Sequence, residues 1–400
     1  MPNQFNSPEG DLENYFVTEY WLIDQWVGDT LWTWGDGSFG KLGINATGNR
    51  STPVTTFAGG TNWKQLSAGG HHTAAIKTDG TLWSWGSASN GRLGNASITS
   101  TSTPVTTFAG GTDWKQVSPG YSHTAAIKTD GTLWIWGSGG YDGRLGNAVI
   151  TGNISTPVTT FAGGTNWKQV SCGNAHTAAI KTDGTLWLWG NGVYGRLGNG
   201  ITAGNISTPV TTFAGGTNWK QVSGGNIHTA AIKTDGTLWI WGYAGSGRLG
   251  NAVTTGNIST PVTTFAGGTN WKQVSSGNQH IAAIKTDGTL WTWGYGAFGR
   301  LGNASITSTS TPVTTFAGGT NWKQVSGGNQ HIAAIKTDGT LWSWGYGNNG
   351  RLGNAVTTGN ISTPVTTFAG GTNWKQVSAS FIFNHTAAVF SGTTPDLPIS

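Results

Sequence analysis

Four hundred residues with 23 Trp, 66 Gly and only 9% charged side chains exclude a disordered chain, which would be charge-rich and poor in aromatics; the glycine reads as turn chemistry between buried rings. A single cysteine, Cys172, excludes an intrachain disulfide and argues against a disulfide-stapled secreted domain. The net charge of +5 divides into −5 on residues 1–27, which carry five acids and no base, and +10 on the remainder, which sets all 21 Lys and Arg against 11 acids.

Residues 1–27 lack the basic start and apolar run of a signal peptide, and no segment of the chain approaches the length of a membrane span. Leu12, Tyr15, Phe16, Ile23 and Trp26 fall roughly on one helical face, with Asp11 as a cap. Tyr20, Trp21 and Leu22 spread beyond that face, which leaves a strand open. So aromatic a segment is expected to be buried, either on the rest of its own chain or on a partner assembly. The docking candidates are Tyr15, Phe16, Tyr20, Trp21 and Trp26.

From Gly28 onward the tripeptide Trp-x-Trp, followed by Gly, recurs seven times, starting at Trp32, Trp83, Trp134, Trp187, Trp239, Trp291 and Trp342. The intervals are 51 to 53 residues, the mark of a repeat architecture. In residues 228–275, His228–Lys233 is a short apolar strand and Thr234-Asp235-Gly236 a tight turn. Thr237–Gly242 returns, with Trp239 and Trp241 projecting from one face. Pro261–Phe265, with Pro at its first position, and Trp271–Ser275 complete the unit. Four antiparallel strands without a helix predict a β-propeller blade.

The array opens at Gly28–Gly35, a second strand without its first, and closes at His385–Phe390, a first strand without its second. Pairing them closes a ring and removes both edges. The chain therefore reads as an all-β, seven-bladed β-propeller of four-stranded antiparallel blades, closed by pairing the C-terminal strand with the N-terminal blade. Its parts are a docking segment (1–27), the propeller (28–390) and a tail (391–400).

The run His-Thr-Ala-Ala-Ile-Lys-Thr-Asp-Gly-Thr-Leu-Trp-x-Trp-Gly, followed by Gly-Arg-Leu-Gly and the Pro-Val strand, resembles the regulator of chromosome condensation repeat over residues 28–390. It is most like the repeat-rich versions associated with phages and bacteria. The resemblance implies a seven-bladed propeller closed by strands from both termini. It does not choose a function, because members include a nuclear nucleotide-exchange factor, ubiquitin-ligase modules and a secreted β-lactamase inhibitor.

Catalysis is not expected. No Glu follows Glu19, and six Asp (Asp79, Asp130, Asp183, Asp235, Asp287, Asp338) sit in equivalent turns that keep them apart, whereas acid–base work needs convergence. No metal or cofactor is expected either. A histidine opens the first strand of every unit (His72, His123, His176, His228, His280, His331, His385). That strand is taken to line the central channel, and each His to bond the backbone of a neighbouring loop and hold the blades in register. Lys41, Arg92, Arg144, Arg196, Arg248, Arg300 and Arg351 form a basic belt at one level, read as solvated charge in preference to a polyanion site.

Binding is expected where the repeats differ. Two short stretches vary against a copied framework, one after Trp-x-Trp-Gly and one before the His, and they favour Tyr, Phe, Asn, Ser and Gly. The candidate contact rim is Phe39, Tyr121, Tyr141, Tyr194, Tyr243, Tyr295, Phe298 and Tyr346.

The expected function is a non-enzymatic binding or structural propeller, foremost a tailed-phage virion component contacting a host surface glycan or neighbouring virion proteins. The expected location is the virion, or otherwise the cytoplasm. The alternatives are a nucleotide-exchange or chromatin-binding regulator, and a carbohydrate-binding or inhibitor protein. Nucleic acid is not an expected partner, since the cations lack interleaved exposed aromatics.

Overall fold

The structure, a computed structural model, describes residues 28–392. Among these residues, twenty-eight strands form seven four-stranded antiparallel sheets arranged as the blades of a ring. The docking candidates at Tyr15, Phe16, Tyr20, Trp21 and Trp26 lie outside the described residues.

Each blade begins one strand earlier than the sequence period suggests. In one blade the order from the axis outward is Trp219–Gly224, His228–Lys233, Leu238–Tyr243 and Asn257–Thr263. The strand lining the channel is therefore the Trp-Lys-Gln-Val strand, and the histidine strand stands second. The outer strand also starts four residues before Pro261, which sits inside it. The register shifts there between Ile240 and Gly242, and an edge strand tolerates the missing N–H.

The closing blade takes two strands from each end of the chain: Arg50–Thr55, Asp29–Gly35, His385–Ser391 and Trp374–Ala379, in that order. Leu31 lies opposite Val389 and Trp32 opposite Ala388. The last strand thus runs through Ser391, one residue into the expected tail.

Apolar faces of adjacent blades pack on one another. Ala178, Ile180, Leu186 and Leu188 of one blade meet Trp219, Val222, Ala231 and Trp241 of the next, all nearly or fully buried. The Trp219 ring stands edge-on to both Trp239 and Trp241, centroids 6.2 Å apart, so both rings of the Trp-x-Trp pair do share a face. The Trp241 indole N–H donates to the Arg196 carbonyl across the blade boundary at 2.9 Å. This contact accounts for the Gly-Arg-Leu-Gly word: a Cβ on Gly198 would lie 2.7 Å from that indole nitrogen.

A belt of glutamines closes the channel wall. The Gln169 side chain donates to the Val222 carbonyl (3.3 Å) and accepts from the Val222 N–H (3.0 Å) in the next blade. The exchange repeats round the ring and ends with Gln376 on Leu66, at 3.2 and 3.1 Å. One turn further in, Ser171 Oγ accepts from Gly224 N–H at 3.0 Å. At the matching step after Ser67 the chain has Pro119, which has no N–H to give.

Candidate binding face at one mouth of the ring

Two loops of every blade meet at one mouth: the one preceding the framework His and the one following Trp-x-Trp-Gly. The opposite mouth carries the Asp-Gly turns. There Asp235 Oδ1 accepts from Thr237 N–H (2.9 Å) and Oγ1 (2.7 Å), and Thr237 Oγ1 accepts from the Trp239 indole at 2.8 Å. These carboxylates are consumed in turn geometry, and the same bonds hold the Asp235 pKa below its ordinary value.

The seven cations do lie at equivalent positions, but they are not solvated. Lys41 is fully buried, and Arg92, Arg196, Arg248, Arg300 and Arg351 are 1–5% exposed. Four of the arginines, Arg92, Arg144, Arg196 and Arg300, brace two blades through the side chain. Arg196 Nε donates to Val193 O in its own turn (2.9 Å), and Nη1 to Asn226 O in the next blade (3.3 Å). Burial is the main cause that pushes the guanidinium pKa of Arg196, Arg248, Arg300 and Arg351 down to about 10. Two of the seven have carboxylate partners: Lys41 pairs with Asp36 at 2.7 Å, and Arg144 pairs with Asp142. The other five have none among the described residues.

Five of the seven framework histidines are braces as well. His176 Nε2 lies 2.9 Å from Thr229 Oγ1 of the next blade, and that hydroxyl donates to Arg196 O at 2.8 Å. The imidazole is therefore the donor, a neutral Nε2–H tautomer. The expected backbone partner is replaced by a hydroxyl. All seven framework histidines are fully buried, which depresses their pKa values, to about 3 for His176. No group of three or more His, Cys, Asp or Glu among the described residues is placed to hold a metal ion. Among them no helix is long and apolar enough to cross a membrane.

The rim candidates separate into clusters. Phe39, Tyr194 and Phe298 occupy the left-handed region (φ 60, 67 and 66°), a strained setting for large side chains that turns the rings outward. Tyr194 meets Tyr243 at 5.3 Å, and Phe298 meets Tyr346 at 4.5 Å. Tyr243, Tyr295 and Tyr346 roof Arg248, Arg300 and Arg351 at 5.0, 4.8 and 4.7 Å. On the far side, Tyr121 stacks on Phe383 (6.0 Å), with His71 against Phe383 at 3.7 Å and Phe39 against His71 at 5.2 Å. Tyr141, 84% exposed, joins no cluster.

The aromatic choice overlooked the amides. Asn174, Asn226, Asn278, Asn329 and Asn384 form an arc in which each carboxamide donates to the next, at 2.5, 2.9, 2.8 and 3.3 Å. Four of these stand two residues before a framework His, a spacing visible in the sequence. The arc borders a cavity of about 490 Å³ walled by Tyr295, Phe298, Arg300, Asn278 and Asn329, with Ser246, Gln279 and Gln330. The mouth is thus lopsided: the His71–Tyr121–Phe383 stack fills one side and the amide arc leaves the other open.

A family model described as the RCC1-like domain matches residues 30–388. The ultraviolet-B receptor UVR8 of Arabidopsis thaliana is 31% identical over 330 residues, which is 82% of this chain and 75% of that protein. The regulator of chromosome condensation of Xenopus laevis is 26% identical over 82% of this chain and 81% of its own length. The human E3 ubiquitin-protein ligase HERC2 is 31% identical over 75% of this chain, which spans only 6% of that protein. Yeast RCC1 (Prp20), solved with Kap60 bound, is similar in fold, with a TM-score of 0.80 at 18% identity over 92% of this chain and 90% of that one.

Proposed function

This chain belongs to the RCC1-like domain family, and from that premise we propose that it is a non-catalytic regulatory propeller that binds a protein partner through the mouth bearing the amide arc. The observation that carries the reading is the division of labour among its residues. Copied residues such as Gln169, His176, Arg196 and Trp241 are committed to holding blades together. Residues of the two variable stretches gather on one face as aromatic rings and a bonded row of carboxamides, a composition suited to recognition.

The relatives reported above are eukaryotic proteins, and none is a virion component, so the virion reading has no support from them and the regulatory alternative has. Protein partners fit this family: the solved yeast relatives are described with Kap60 bound and with binding to Gsp1p and histones. The test compares proximity labelling by the intact chain with that of a Tyr295→Ala/Phe298→Ala variant and a Lys220→Ser/Lys272→Ser variant on the opposite mouth. Loss of a reproducible partner set with the first variant alone supports the reading. Dependence on the lysines alone, or on neither pair, would overturn it.

A further inference from the structure

We propose that the open side of this mouth takes an acidic peptide segment of the partner, with a carboxylate drawn to Arg300 on the cavity wall, beside the uncompensated charge of Arg248, and its backbone along the asparagine arc. The inference rests on the protein-binding reading above and adds the chemistry of the bound segment.

Charge is the first ground. Between Asn174 and Asn384 the only acids are Asp183, Asp235, Asp287 and Asp338, all in turns of the opposite mouth. Asp36 and Asp142, the carboxylates on this mouth, are occupied by Lys41 and Arg144 on other blades. Asp142 and Asp36 still act at longer range on Arg196 and Arg351, whereas Arg248 and Arg300 between them have no carboxylate acting on them, in surroundings where burial strengthens their field. Such a cleft concentrates anionic groups.

A missing bond is the second ground. Arg144, Arg196 and Arg300 each donate Nη1 to the carbonyl of the arc asparagine in the next blade, at 3.3 Å. The matching asparagine for Arg248 is Asn278, on the cavity wall, and that bond is absent. Arg248 Nη1 is left buried without a partner, with the residue 3% exposed. A buried guanidinium N–H in this state is costly, and the uncompensated Arg248 charge adds to the positive field felt at the neighbouring cavity without touching a ligand there.

Shape is the third ground, and it favours a peptide over a sugar. The arc is a track across successive blades. Each inner carboxamide, such as that of Asn278, uses one N–H and one oxygen lone pair on its neighbours and keeps one of each for a ligand. A repeating row of donor–acceptor pairs matches a peptide backbone. The half-buried Tyr295 and Phe298 rings beside it offer flat apolar area at small entropic cost.

The experiment uses fluorescence anisotropy of the intact chain with a labelled peptide of alternating Glu and Tyr, and with its Gln-for-Glu counterpart. The Glu peptide should bind at least about tenfold more tightly, with a preference that salt erodes. Arg300→Gln and Tyr295→Ala should each weaken it about tenfold, while Lys220→Ser leaves it unchanged. Near-UV circular dichroism checks the fold, and Tyr295→Ala, which removes no inter-blade bond, covers the case in which Arg300→Gln unfolds. Equal binding of both peptides, lost with Tyr295→Ala, would overturn the acidic ligand while leaving the protein-binding mouth intact. Binding of neither peptide, with glycans retained in a Tyr295-dependent way, would overturn both.

Discussion

His176 is bonded through Nε2 to Thr229 of the next blade, 2.9 Å away, while His228 has no partner at either ring nitrogen. The difference is one residue: the position that matches Thr229 in the following blade is Ile281. His280 is orphaned in the same way by Ile332.

The exchange of these residues gives a paired expectation. Thr229→Val strips the His176 donor and the Arg196 carbonyl of a shared hydroxyl and should cost about 2 kcal/mol. Ile281→Thr supplies His228 with an acceptor; the lost methyl group costs about 1 kcal/mol, which the new bonds should offset. Urea midpoints of the two variants measure this. A destabilisation by Ile281→Thr as large as that by Thr229→Val would contradict the latch.

Stability should fall on mild acidification. The framework histidines are held neutral by burial, His176 down to about 3 and the others well below the ordinary 6.5. The unfolded chain takes up protons near 6.5 and the folded chain does not. Their contribution is thus complete above that value and is lost as pH falls below it, by up to about 1.4 kcal/mol per pH unit for each His. The turn carboxylates such as Asp235, lowered below 3.8, act only at more acidic pH. Melting temperatures between about pH 7.5 and 5 should drop steeply at the lower end, and a flat profile would contradict buried neutral imidazoles.

Gly198 and Gly267 separate close approach from backbone strain. Both have positive φ, +64 and +53°, but a Cβ on Gly198 meets the Trp241 indole at 2.7 Å while one on Gly267 meets nothing within 4 Å. Gly198→Ala must displace a ring fixed by its bond to Arg196 O and should cost about 3 kcal/mol or more. Gly267→Ala should cost about 1 kcal/mol, from the left-handed backbone alone. Equal losses in chemical denaturation would count against the packing described.

A stop after Asn384 removes the strand His385–Ser391, which pairs Asp29–Gly35 along its full length and also pairs Trp374–Ala379. The shortened chain exposes two strand edges and should lose its cooperative melt and associate. A compact monomer with unchanged melting would show that the ring does not depend on this closure.

The ring was legible in the sequence because the two ends lacked complementary strands. The phase of the blade was not, since a repeat can be cut at any point. Trp271–Ser275 read as the end of a unit, yet it opens the next blade at the axis. Arg196 and its equivalents read as solvated because charge ordinarily seeks water; the carbonyls that bury them come from loops far apart in sequence. Asn278 and Asn329 stood in stretches recognised as variable, but aromatic area was weighted above carboxamides, whose mutual bonding depends on ring geometry. Phe265, read as the end of the third strand, falls just past the outer strand Asn257–Thr263 and is 70% exposed.

Hydrogen exchange of the intact chain with and without the Glu–Tyr peptide tests the assignment of the recognition face most directly. Protection should appear in residues 277–280, 295–300 and 328–331, with no change in the turns at 286–289 and 337–340. Protection confined to those turns, or spread evenly over both mouths, would contradict it.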